Sequence, residues 1–175
     1  MTGWWRRNAL ALGALAVLTP VTFGAIAWEG WWGHYSYENA FPIDVAEDET
    51  LELLDTTWGP IRSSEIEDLS GFSVPSDARL VAAALPVDPH GDPPGCLSPT
   101  LVQQSTGIRW AEARSELGLL STSEEPTSCV TGDDETYPYE LIVPFVIPGD
   151  AEGPFWVEVA SADAVPSIIR FWVDP

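Results

Sequence analysis

Two kinds of apolar pattern divide the chain. From Ala9 to Trp28 runs a stretch of 20 residues without one charged side chain. That is the length a helix rising about 1.5 Å per residue needs to cross a hydrocarbon core about 30 Å thick. Beyond Thr50 the apolar residues come instead in short runs, rich in β-branched and aromatic side chains and bounded by Gly, Pro, Asp or Ser, which is the signature of strands. The runs predict strands at Leu51 to Asp55, Thr57 to Arg62, Arg79 to Val87, Pro99 to Gln104, Tyr139 to Ile147, Phe155 to Ala160 and Ile168 to Val173, a number that suits a two-layer β-sandwich. In the last two, Phe155, Val157 and Val159 alternate with Glu158, and Ile169, Phe171 and Val173 with Arg170, so one face of each is expected to be buried. Leu80 to Leu85 and Leu141 to Ile147 are apolar on both sides and belong at the centre of a sheet or beneath a loop. Pro144 points to an edge or a bulge in the second of them.

Helical signals beyond the first stretch are few. Trp110 to Leu117, closed by Gly118, reads as one short helix with a C-terminal glycine. Ser105-Thr106-Gly107 before it reads as a turn. Ser64 with Glu67 forms the spacing of a capping box for a single helical turn. The resulting organisation is a short N-terminus (1–8), a transmembrane helix (9–28), a juxtamembrane spacer that is Pro-interrupted and acidic (29–49), and a folded domain (50–175).

The flanks of the apolar stretch give it a direction. Trp4 and Trp5 stand on one side and Trp28, Trp31, Trp32, Tyr35 and Tyr37 on the other, like the aromatic belts of membrane interfaces, and Arg6 and Arg7 favour a cytoplasmic N-terminus. The domain is then extracytoplasmic. Pro20 lies mid-span, where membrane helices tolerate it. The competing reading is a signal peptide cleaved near Ala27, because Ala25-Ile26-Ala27 fits the small-x-small rule, and it would make the protein secreted. A twin-arginine export signal fits Arg6-Arg7 less well. A lipoprotein anchor is ruled out by the lack of a Cys near the end of the apolar run.

Charge narrows the chemistry. All seven basic residues are Arg, so Schiff bases, Walker-type phosphate loops and Ser-x-x-Lys nucleophiles are excluded together. From Glu29 onward five Arg face all 27 acidic residues, a balance of −22, which repels phosphate backbones and argues against nucleic acid as a partner. Cys96 and Cys129 are the two cysteines. In an oxidising compartment such a pair is expected as a disulfide, and a redox or metal pair would lack the Cys-x-x-Cys spacing.

The tract Phe145-Val146-Ile147-Pro148-Gly149-Asp150-Ala151, between two expected strands, resembles a stretch of the telokin-like, immunoglobulin-type domains of bacterial envelope proteins. There a strand ending in an aromatic-x-x-Pro run leads through a polar turn to the next strand, a part that Phe155 to Ala160 fills here. The resemblance rests on this tract and extends over residues 50–175. It implies an all-β, immunoglobulin-like β-sandwich at an exported, membrane-attached location. It implies no reaction and no functional residues. Members are often tethered through a lipoprotein Cys, where this chain offers a spanning helix.

Candidate chemistry is sparse. His34 stands among interfacial aromatics, and His90 has no Gly-x-Ser-x-Gly elbow to serve. Asp88, His90 and Asp92 alternate in a Pro/Gly-rich loop and could ligate a divalent ion, or simply turn the chain. Asp133, Asp134 and Glu135 form a second acidic cluster without EF-hand spacing. Trp58, Trp110, Trp156 and Trp172 offer either core packing or a platform for stacking glycans. The function expected is that of a non-catalytic binding module in the cell envelope. It would hold lipid through its helix and an envelope protein or polymer through its domain, with no cofactor, no metal and no catalytic residue assigned. The alternative is an envelope hydrolase using carboxylates or a loop-bound metal, which requires a concave pocket where such groups converge.

Overall fold

The computed structural model describes residues 3–38, 41–92, 94–119, 126, 128–129 and 138–175, in two compact units, Met1–Ala40 and Phe41–Pro175. The first is one helix, α1 (Gly3–Glu38), with Pro20 inside it. Its stretch Arg7–Trp28 has a mean hydropathy of 2.0 and none of that window is buried within the protein. By length and composition it can cross a membrane, a test that a signal sequence also passes. Trp4 and Trp28 are exposed. The side chains of Trp5, Arg6, Trp31, Trp32, His34, Tyr35 and Tyr37 lie outside what is described.

The stretch expected to be a spacer is largely regular structure. α1 continues past Trp28 to Glu38, because its first proline after Pro20 is Pro42, and a proline pushes the residue before it away from helical geometry. Pro42 lies in strand β1 (Phe41–Val45), which pairs in parallel with the C-terminal strand and, among the described residues, has no strand on its other side. The missing N–H is tolerated on such an edge. The folded unit therefore starts at Phe41 rather than near Thr50.

Among the described residues ten strands make two sheets. Sheet I has the order β1-β10-β9-β6-β7, formed by β6 (Thr100–Gln103), β7 (Arg109–Trp110), β9 (Phe155–Val159) and β10 (Ser167–Val173) beside β1. Sheet II runs β2-β3-β5-β4, with β2 (Leu51–Glu52), β3 (Thr56–Trp58), β4 (Arg62–Ile66) and β5 (Ala78–Pro89), and β8 (Tyr139–Pro148) on the other side of β5. One core holds the inward rows of both sheets. Val81, Ala83, Leu85, Val87, Leu141, Val143, Phe145 and Ile147 come from sheet II, and Leu101, Phe155, Val157, Val159, Ile169, Phe171 and Val173 from sheet I. The alternation read in the last two strands is thus the core-facing row, as expected.

The strands apolar on both sides also lie as expected. β5 is central, and its outward Leu80 joins Ala113, Leu117, Ile66, Phe72 and Val146 in a second apolar cluster under the connecting segments. β8 ends sheet II, and the segment after β7 covers its free edge. The Ala113 N–H donates to the Pro144 carbonyl at 2.9 Å, and the Arg114 guanidinium donates to the Ile142 carbonyl at 3.0 Å. A strand residue points its N and its O to the same side. The Pro144 nitrogen therefore faces the edge, where no ladder bond is lost.

Two helical expectations are corrected. Trp110 is strand, paired with Leu101, and residues after it make one turn only. The Leu117 N–H reaches the Ala113 carbonyl, Gly118 reaches Ser115 and Leu119 reaches Arg114, while Gly118 takes a φ of +72°. The glycine closes a Schellman-type stop as read, but the apolar positions Ala113 and Leu117 suffice to cap the cluster without a longer helix. Ser64 is strand as well, paired with Ala82. The Ser105-Thr106-Gly107 turn forms, with the Gly107 N–H donating to the Gln103 carbonyl at 2.8 Å.

Candidate functional site

The four tryptophans of the folded unit divide by strand register. Trp58 is fully buried, its indole N–H donating to the Leu53 carbonyl at 3.1 Å. Trp110 packs against the core, edge-on to Phe155 at 6.1 Å between centroids. Trp156 and Trp172 go the other way. They alternate with the buried Phe155, Val157, Phe171 and Val173, and the register pairs them directly across β9 and β10. Two indoles therefore sit side by side, half-buried, on the solvent face of sheet I.

The neighbouring row on that face is charged. Asp44, Arg170, Glu158 and Thr100 are successive partners across four strands. Arg170 bonds Asp44 at 2.7 Å and lies over the Trp156 ring, 5.0 Å from its centroid, an attraction between guanidinium and the negative face of the indole. Glu158, with its side chain 9% exposed, is paired to Arg109. Beside the indoles the chain leaves β1 through a turn in which the Glu49 N–H reaches the Ala46 carbonyl at 3.2 Å. Asp48 takes a φ of +59° there, a region that Asp tolerates better than most residues. The turn completes a groove of about 410 Å³, lined by Asp44, Val45, Ala46, Glu47, Glu49, Trp156 and Trp172.

Glu47 and Glu49 have no ion pair among the described residues, whereas four Arg of the folded unit are committed elsewhere: Arg62 to Glu140, Arg79 to Glu65, Arg109 to Glu158 and Arg170 to Asp44. The acidic run Glu47-Asp48-Glu49 is visible in the sequence as charge alone. Nothing local in it points to indoles more than a hundred residues away, which only the parallel pairing of β1 with β10 brings alongside.

Asp88 ends up in β5, paired across the ladder with Thr57. His90 turns to Thr57, Nε2 to Oγ1 at 2.8 Å, with a Glu52 carboxylate oxygen 3.8 Å away, and Thr57 in turn donates to Glu52 at 2.5 Å. Among the described residues no three His, Cys, Asp or Glu side chains come together as a metal would need. Asp133, Asp134 and Glu135 lie outside the described residues. Cys96 and Cys129 form a disulfide. Cys96 pairs with Ser161 just beyond β9 and Cys129 is buried in the main core, so the bond ties the connection before β8 to the end of sheet I.

No protein-family model and no curated protein matches the chain. Among solved structures it is similar to a "putative lipoprotein (ycdA)" of Bacillus subtilis subsp. subtilis str. 168, at 15% identity and a TM-score of 0.43. The likeness covers 73% of this chain and 38% of that one. At that level it carries no argument about family or function.

Proposed function

We propose that the protein is a single-pass membrane protein whose C-terminal unit is an extracytoplasmic, immunoglobulin-like β-sandwich of the telokin-like type, acting as a non-catalytic binding module of the cell envelope. The groove at Trp156 and Trp172 is its binding face. The observation that carries this is the division of the tryptophans. Trp58 and Trp110 meet the needs of the core, and two more large indoles stand together on a face that the fold itself leaves half-open, where aromatic area is available to a partner. The apolar helix supports the membrane location and the Arg6-Arg7 flank supports the orientation. The hydrolase reading draws on the carboxylates of the same groove. Asp44 is already held by Arg170, so that reading would fall to Glu47 and Glu49.

The test is site-specific photo-crosslinking of the full chain in intact cells, with the photoreactive residue at position 46, on the exposed groove residue Ala46, or, as control, at the exposed Ser76 of the loop before β5. A discrete adduct from position 46 alone is expected, with the C-terminal unit open to protease added outside the cells. Equal labelling from both positions, or protection of the unit from external protease, would count against the proposal.

A further inference from the structure

We infer that the groove takes a Lys or Arg side chain from a basic segment of a partner protein, docked over Trp172 between the carboxylates of Glu47 and Glu49. The inference rests on the reading of this face as the binding surface and names what it binds. The chain supplies a pattern for the contact within itself. On Trp156 an indole face and a carboxylate, Asp44, hold the guanidinium of Arg170 between them. One position along the sheet the same two ingredients recur with the cation missing. Trp172 is the register partner of Trp156, it lines the groove with Glu47 and Glu49, and no cation is placed over it among the described residues.

The charge count shows why the cation has to come from elsewhere. From Phe41 to Pro175 the chain has five Arg and no Lys. Four of those Arg are ion-paired, and Arg114 is turned to the Ile142 carbonyl on the opposite sheet. Acidic residues in the same unit outnumber them five to one, so the field around the groove draws a cation in and slows its loss. An indole with two nearby carboxylates favours a cation over a neutral sugar, and the same carboxylates disfavour a phosphate-bearing polymer.

The full chain in a neutral detergent is titrated calorimetrically with octa-arginine amide and with cellohexaose at about 0.1 M salt, where the Debye length is about 10 Å and distant charges are largely screened. Trp172→Ala, and separately Glu47→Gln with Glu49→Gln, are each expected to weaken octa-arginine binding about fivefold or more. Glu67→Gln with Asp77→Asn removes the same charge elsewhere and is expected to change it less than about twofold. Equal losses from both charge-removing pairs, or binding indifferent to Trp172, would overturn the inference. Cellohexaose binding lost in Trp172→Ala, with octa-arginine unaffected, overturns it too but leaves the binding face standing. If neither probe depends on Trp172, both readings fall.

Discussion

Arg170 lies over the ring of Trp156 at 5.0 Å while bonding Asp44 at 2.7 Å, and so it joins a residue of the last strand to one of the first. The side chain of Arg170 is only 26% exposed, which places the contact above an ordinary surface ion pair. Arg170→Ala is expected to cost about 1 kcal/mol, and Arg170→Lys to recover part of it, since an ammonium keeps the charge but not the planar stack. Urea unfolding of the full chain in detergent, followed by far-UV circular dichroism, measures both.

Arg109 and Glu158 form the other ion pair of the face, and there the carboxylate is the buried partner. Arg109→Ala is expected to cost about 1 to 2 kcal/mol, because it takes a half-exposed guanidinium from a carboxylate that is itself largely out of solvent. Adding Glu158→Gln to it should restore most of the loss. A double variant no more stable than Arg109→Ala alone would show that the pair contributes through packing.

Val45 is buried where β1 closes sheet I. Val45→Ala is expected to cost about 1.5 to 2.5 kcal/mol, the loss of two buried carbons and the space they leave. The exposed Pro42→Ala should stay within about 0.5 kcal/mol. Equal and negligible effects would mean that the stretch before Thr50 is indeed only a spacer.

Leu54 and Asp55, the two central residues between β2 and β3, take φ values of +55° and +52°. A mirror-image turn of this kind prefers Asn-Gly, and a bulky residue in the left-handed region costs about 1 to 2 kcal/mol. Leu54→Asn is therefore expected to raise stability by about 0.5 to 1 kcal/mol after some loss of its half-buried contact. The shift in urea midpoint, with the slope unchanged, reports it.

The Cys96–Cys129 bond closes a loop across a separation of 33 residues. On the chain-entropy model its loss in Cys96→Ser with Cys129→Ser is expected to cost about 3.5 to 4 kcal/mol. Unfolding with and without reductant checks this in the wild-type chain, where reduction should reproduce the double variant.

Strands whose signal is their own alternation were legible in the chain, and those whose signal is a partner were not. Phe155 to Val159 and Ser167 to Val173 show apolar residues at every second position because each carries one face of the core. Arg62 to Ile66 is Arg-Ser-Ser-Glu-Ile, an outer strand with little to bury, and its spacing imitates a helix cap. Phe41 to Val45 has one fully buried side chain, Val45, and a proline, so nothing within it announces a strand. Its ladder is with Ser167 to Phe171, at the far end of the chain. The disulfide could be read from the cysteine count and the expected compartment. The groove could not, since its carboxylates and indoles come from the two ends of the folded unit.

What the residues determined by themselves is what a short window of chain can encode. An uncharged run long enough for a bilayer, a two-residue period in the strands, and an acidic excess that no arrangement of five Arg can cancel are all such properties. Tertiary structure decided which tryptophans are core and which are surface, and which carboxylates keep their cations. Those outcomes depend on strand register and on the parallel pairing of the first strand with the last, and a pairing between distant segments is fixed by the packing of the whole core rather than by either segment alone.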